Sequence, residues 1–380
     1  MNYLSKSSLC LLAVVTSLTA TAQETLSDKL QYKVTGRMLM DGGVYLKNDN
    51  NFGNGVEFSD LRIGAKVAYQ NWDMKLEIGY TGNKATIKDA FAKYTYKNHS
   101  IQVGQFYEPF SLEMMCSTFD IRFNQSPGAV LALTNGRRMG ITYSYRNKRH
   151  YMSGGAFMDN EVNNLKKASH GYALDGRVVY RPVLDSKKLI HIGFAANYRT
   201  PNESLNEEDK NIFIYKSSGV STIDNRNIAM ATIDHAAYQI KFGTELLVYY
   251  HRFCLQSEYI RTHVERDNAF KNYVAQGAYL QCSWLLSGET YLYDESVACA
   301  GRPEGKSLEV CSRFNYLTLN DEDAAIWGGE QKDISIGLNY YINKYIGIKL
   351  NYSYLIPGAS IKEISRKNFS VFQGRFQFIF

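Results

Sequence analysis

Beyond one short run near its start, the sequence has no long apolar segment. Nothing approaches the roughly 18 consecutive apolar residues that a membrane-crossing helix needs. Proline is scarce, 6 in 380 residues, and no Pro-rich, Ser-rich or low-complexity tract marks a linker, so the chain gives no ground for division into separate folding units. Cysteine is scarce as well. The 6 cysteines (Cys10, Cys116, Cys254, Cys282, Cys299, Cys311) are too few and too irregularly spaced for a disulfide framework, although Cys299 with Cys311 is a pairing the spacing leaves open. Neither H-x-x-x-H nor C-x-x-C occurs, which removes the common zinc signatures. The 7 His sit mostly in turn and loop positions, without a recognisable nucleophile arrangement, so barrel lipase or protease chemistry is not expected. A net charge of +6 is too modest to argue for nucleic acid. No cofactor or metal is expected.

What the sequence does have is 29 Tyr, 19 Phe and 29 Gly, at a mean hydropathy of −0.32. Rich in aromatics yet hydrophilic on average is what strict alternation produces. In "WDMKLEIGY", Trp72, Met74, Leu76, Ile78 and Tyr80 alternate with Asp73, Lys75, Glu77 and Gly79. "RMGITYSYR", "ISIGLNYYI" and "IGIKLNYSY" repeat the pattern, which is that of strands. The apolar face often carries aromatics at its ends, such as Trp72 with Tyr80, Tyr172 with Tyr180 and Tyr238 with Tyr250. That suits strands whose ends lie at two membrane interfaces. About sixteen strands are expected. Their starts fall near Tyr32, Val56, Trp72, Ile87, Ile101, Arg138, His150, Tyr172, Leu189, Ala237, Arg252, Tyr273, Leu308, Gln331, Ile346 and Asn368. Tight turns at 70–71, 97–99, 147–149, around 251 and at 343–344 alternate with polar connections at 47–55, 107–137, 158–170, 199–235, 320–330 and 357–367. One connection, 288–306, is long where a short turn is due.

Both ends fit this reading. "MNYLSKSSLCLLAVVTSLTATAQ" has a basic Lys6, an apolar Leu9–Val15 run and Ala20-Thr21-Ala22, so it reads as an export leader (1–22) cleaved after Ala22, with one domain over 23–380. The chain closes with Phe372, Gly374, Phe376, Phe378 and Phe380 alternating with Gln373, Arg375, Gln377 and Ile379. Such a strand pairs with "YKVTGRMLM" to close a cylinder, the one sheet that leaves no edge in lipid. It would turn Phe to hydrocarbon and Gln373, Arg375 and Gln377 to the lumen.

If the apolar face is outside, the other face lines water. Its bases are Lys33, Arg37, Arg62, Lys66, Lys75, Lys93, Arg138, Arg146, Arg177, Arg181, Lys241, Arg252, Arg313, Lys349 and Arg375. Its acids are Asp73, Glu77, Asp89, Asp175, Glu245, Glu258, Glu309 and Asp333. Bases nearly double acids here, against 43 to 37 over the chain, which favours anions. The loop from Tyr107 to Arg137 is too apolar for water. Phe110, Leu112, Phe119, Ile121, Phe123 and Val130 are expected to fold inward and form a constriction lined by Glu108, Glu113, Asp120, Arg122, Arg137 and Arg138.

The stretch from Ile87 to Met158, with Val103-Gly104-Gln105-Phe106, Glu108-Pro109-Phe110 and Gly136-Arg137-Arg138-Met139-Gly140, resembles the phosphate-selective porin O and P family. "CSWLLSGETYLYD" resembles its aromatic strand with a following Gly-Glu turn, and the long 288–306 connection is shared. The resemblance implies an all-β fold: a closed antiparallel transmembrane β-barrel of sixteen strands, usually a homotrimer, with the third loop folded inward. By motif, Arg137 and Arg138 carry over as channel arginines, with Arg62 beside them. The expected protein is therefore an outer-membrane porin of a Gram-negative cell and not an enzyme. Its expected partners are small anionic solutes, phosphate among them, and outer-membrane lipid. The expected anion path is Arg137, Arg138, Arg122, Arg62, Lys66, Lys75, Lys93, Arg37 and Arg177. The alternative is a general or saccharide-type porin, since a Tyr-rich wall can stack on sugars; a soluble secreted all-β protein is the remaining rival.

Overall fold

The computed structural model describes residues 30–46, 49, 51–81, 84–158, 170–202, 211–224, 226–267, 269–358 and 367–380. The leader and its cleavage point lie outside the described residues. Alternation does what it foretold: sixteen strands form one closed antiparallel barrel. In chain order these are β1 (Leu30–Leu46), β2 (Gly55–Tyr69), β3 (Trp72–Thr81), β4 (Lys84–Tyr96), β5 (His99–Tyr107), β6 (Arg137–Arg146), β7 (His150–Met158), β8 (Tyr172–Leu184) and β9 (Lys188–Arg199). After them come β12 (Ala236–Tyr250), β13 (Phe253–Arg266), β14 (Tyr273–Ser287), β17 (Ser307–Asp321), β18 (Ile326–Tyr341), β19 (Ile346–Pro357) and β20 (Phe369–Ile379). Four short strands, which period-two reading did not find, form two hairpins inside connections. They are β10 (Phe213–Ser217) with β11 (Ala229–Ile233), and β15 (Tyr291–Asp294) with β16 (Cys299–Pro303).

The barrel is inverted relative to a soluble protein. Ile192, Phe194, Ile334 and Phe372 stand outward and open, while Gln331, Asn339 and Gln377 point inward and are buried. No described helix is long and apolar enough to cross a membrane, and the outward band of aliphatic side chains bounded by Tyr69, Trp72, Tyr250 and Trp284 at one end and Tyr80, Tyr172 and Trp327 at the other does that task. Gln70, Lys97 and His251 take φ near 53°, the left-handed conformation that closes the tight turns.

β20 pairs with β1 from Arg37↔Ile379 to Leu46↔Ser370. Gly36 and Phe380 exchange backbone hydrogen bonds of 3.1 and 3.0 Å. The Phe380 ring covers Gly36, where a Cβ would collide with it; glycine is the residue that admits the ring at the seam.

Candidate functional site

Two helical turns, α1 (Leu112–Met115) and α2 (Gly128–Leu133), mark the third loop, 108–136. The apolar residues that could not face water take it inside, where Leu112, Phe119, Val130 and Leu133 are fully buried. The loop spreads over the inner face of the β8–β20 half and is gripped there by barrel side chains. Leu112 N and Glu113 N donate to the Glu258 carboxylate at 2.9 and 2.8 Å. Asn124 N and Ala129 N donate to Asn351 and Asn315 at 2.9 and 3.1 Å. Lys349 donates to the Phe119 and Ile121 carbonyls, Arg375 to Asn124 O at 2.7 Å and Arg313 to Gln125 O at 2.8 Å. Glu108 pairs with Arg199.

Two further inserts occupy the same half. From the turn side, the β15–β16 hairpin enters the lumen, where Arg177 donates to Val297 O and Ala298 O at 2.7 and 2.8 Å while pairing with Glu245 at 2.8 Å. From the loop side, the β10–β11 hairpin buries Tyr215, Ala229 and Ile233 against α2 and the wall. The segment between its strands reaches the barrel seam. There Asp224 accepts from Gly53 N at 2.8 Å, and Arg226 donates to Asn51 O at 2.9 Å. Burial alone would raise the Asp224 carboxyl, but the Arg226 and Gly53 donors outweigh it and bring it down to about 2.

The opposite wall, β1–β6, borders open cavities. Its charges form a zigzag across the strands. Arg37 pairs with Asp60 (3.0 Å), Asp60 with Arg62 (2.6 Å), Arg62 with Glu77 (2.7 Å), Glu77 with Lys75 (3.0 Å), Lys75 with Asp89 (2.5 Å) and Asp89 with Arg137 (2.5 Å). The tip of the third loop crosses to this ladder. Arg37 donates to Ser117 Oγ at 3.0 Å and Thr118 Oγ1 to Asp60 at 3.1 Å, so the neck lies here.

Toward the turns, Lys33 is in register with Lys66 and Lys66 with Lys75, three like charges side by side. Among the described residues, Lys33, Lys66, Lys93 and Arg146 have no carboxylate within ion-pair distance, although Lys75 does. They line a cavity of 690 Å³ that also holds Asp73 and Asp294. It continues into one of 450 Å³ bounded by Arg37, Arg62, Arg137 and the loop tip.

Of the residues expected to form an anion path, Arg37, Arg62, Lys66, Lys75, Lys93 and Arg137 are brought together on this wall. Arg138 adjoins it and donates to Arg137 O at 2.8 Å. Two expectations fail. Arg122 (1% exposed) is sunk beside Glu309 at 2.9 Å, and Arg177 (0%) lies under the turn-side hairpin; neither faces the open space. The loop acids divide. Glu108 and Glu113 are buried in the plug, away from the open space, and burial pushes the Glu113 carboxyl up; Asp120 does line the 450 Å³ cavity, where it holds Arg302 at 3.0 Å. Arg375, Gln373 and Gln377 point inward but are covered by the loops, and Arg252 stands at a turn, outside the strands. Cys299 and Cys311 are not joined to each other. Reading the sequence missed Asp60, the hinge of the ladder. A bulge in β2 slips the register between Leu39↔Asp60 and Met40↔Phe58, so Asp60 falls out of phase with the alternation before it.

A family model described as phosphate-selective porin O and P matches residues 32–380. Porin O of Pseudomonas aeruginosa is 22% identical over 375 residues, covering 86% of this chain and 83% of that protein. An uncharacterized protein of Caulobacter vibrioides is 24% identical over 351 residues, covering 85% of this chain and 68% of that one. Among solved structures, the anion-selective porin from Comamonas acidovorans superposes with a TM-score of 0.60 at 11% identity, over 92% of this chain and 100% of that one. OmpT of Vibrio cholerae does so with 0.59 at 9%, over 93% and 99%. At these identities the structures speak for the barrel fold.

Proposed function

The chain belongs to the phosphate-selective porin O and P family, and from that premise we propose an outer-membrane porin whose water path, between the third loop and the β1–β6 wall, prefers small anions, inorganic phosphate among them. The observation that carries the reading is the row Lys33–Lys66–Lys75. Like charges directly opposite on neighbouring strands destabilise a sheet. Two of these three, Lys33 and Lys66, have no carboxylate within ion-pair distance among the described residues. A mobile anion in the cavity relieves the repulsion, and its local concentration rises accordingly.

The neck works differently. There Asp60, Glu77 and Asp89 hold Arg37, Arg62 and Arg137 in place and offset much of their charge. An ion is attracted without being trapped, which conduction requires. An anion that has passed the neck meets the lysine row, then Lys93 and Arg146 nearer the turn-side mouth.

Reconstitution in a planar bilayer under a salt gradient tests this. The expected reversal potential has the sign of anion preference, and added phosphate lowers chloride conductance. A potential near zero would make the protein a general diffusion porin, and one of cation sign would overturn the reading. Export with cleavage after Ala22 and assembly as a homotrimer belong to the same proposal. In-vitro folded OmpT of Vibrio cholerae has a trimer form, and the matching barrel supports the same assembly here.

A further inference from the structure

The five described cysteines are unbridged in the structure, and their placement is uneven. Cys282 stands on the outward face of β14 between Leu280 and Trp284. Cys254 and Cys311 face inward but are two strands apart, each in register with Ser283 on the strand between them. Arg122 separates them further, with Nη2 at 3.9 Å from Cys254 Sγ and its carbonyl at 3.9 Å from Cys311 Sγ.

Cys116 and Cys299 differ. Cys116 caps α1 at the tip of the third loop, and Cys299 opens β16 of the turn-side hairpin. They share one buried apolar cluster with Leu112, Ile121 and Ala300, at 7% and 4% exposure. Both border the 450 Å³ cavity at the neck. The same two segments are braced by Asp120 with Arg302 (3.0 Å) and by the Arg302 guanidinium 4.9 Å over the Phe119 ring. The Cys299 thiol beside it, and then burial, push the Cys116 thiol up.

We propose that Cys116 and Cys299 are joined by a disulfide in the exported protein, a covalent tie between the constriction loop and the turn-side hairpin. Two S–H bonds break and one S–S bond forms. Two protons go to water, and two electrons go to a dithiol–disulfide oxidant of the exported compartment, where such bonds persist. The attacking species is a thiolate, which burial disfavours, so the bond forms before the loop is packed. Once formed, it holds the Ser117–Thr118 tip against the Arg37–Asp60 pair and sets the width of the neck.

The full-length protein, extracted from outer membranes in detergent with free thiols alkylated at once, is digested without reduction. The expected product is one peptide pair linking the Cys116 and Cys299 segments, with Cys254, Cys282 and Cys311 alkylated. Recovery of Cys116 and Cys299 both alkylated overturns the proposal, and so does a linked pair of any other composition. In bilayers, a membrane-permeant reductant should increase the open-channel noise of the wild type and leave Cys299→Ser unchanged. A linked peptide with no reductant effect on the current would overturn the tie's part in setting the neck while keeping the bond. Because the peptide measurement uses the unaltered chain, a folding defect in the variant leaves it intact.

Discussion

The two halves of this barrel carry similar inward chemistry and put it to opposite use. On β8–β20, Arg177, Arg313, Lys349 and Arg375 are buried, and each holds a carboxylate, a loop carbonyl or both. On β1–β6, Arg37, Arg62, Lys66, Lys75 and Lys93 border open cavities. The difference lies not in the strands but in what covers them: the third loop and two hairpins all lean the same way. A charge's role in such a barrel is decided by its cover, and the same residue type is a structural clamp on one wall and a selectivity element on the other.

The contrast can be broken most forcefully from the covered side. Arg177→Ala leaves the buried Glu245 with His191 at 3.1 Å but without its guanidinium, and strips two hairpin carbonyls of their donors. A loss of about 3–5 kcal/mol is expected, read as a lower temperature for the heat-induced gel shift, with the reversal potential unchanged. A shifted potential with an unchanged melt would mean the halves have been assigned the wrong way round. The reciprocal change is Lys33→Gln with Lys66→Gln. Thermal stability should hold or rise slightly, because two opposed like charges are removed, while the anion-to-cation permeability ratio falls roughly tenfold, about 1.4 kcal/mol; an unaltered ratio would remove the lysine row from the argument.

A finer probe sits between the two halves. Asp60→Asn releases Arg37 and Arg62 from a shared carboxylate while leaving an amide oxygen that can still accept from Thr118. Anion preference should rise by about 0.5–1 kcal/mol, a two- to fivefold change, with noisier current; a fall in preference would contradict the view that Asp60 tempers the ladder. The smallest effect concerns the seam contact of Asp224. Because its folded carboxyl is depressed to about 2, its contribution is present above the ordinary carboxylate range and fades only as pH falls through about 2. Protease sensitivity of the segment around Asp224 should therefore be flat from pH 7 to pH 4, and Asp224→Asn should raise it at all these values.

Much of this was legible beforehand. Sixteen strand starts lie within five residues of their expected positions, the widest gap being Gln331 against Ile326, because a period of two survives even where loops are irregular. The inward turn of the third loop was legible from its misplaced apolar residues. What periodicity cannot carry is occlusion. It put Arg177 and Lys75 on the same face and had no means of knowing that a hairpin would roof one of them. Strands of four or five residues, such as Phe213–Ser217 and Tyr291–Asp294, are too short for alternation to stand out from their connections. Asp60 was hidden by a single bulged residue.

The plug is held largely by its peptide groups. Lys349, Arg375, Arg313 and Arg177 take hold of the oxygens of Phe119, Ile121, Asn124, Gln125, Val297 and Ala298. Every amino acid presents that oxygen. The insert's side chains can therefore change without loss of these contacts, whereas a change in the wall residues that grip it removes them.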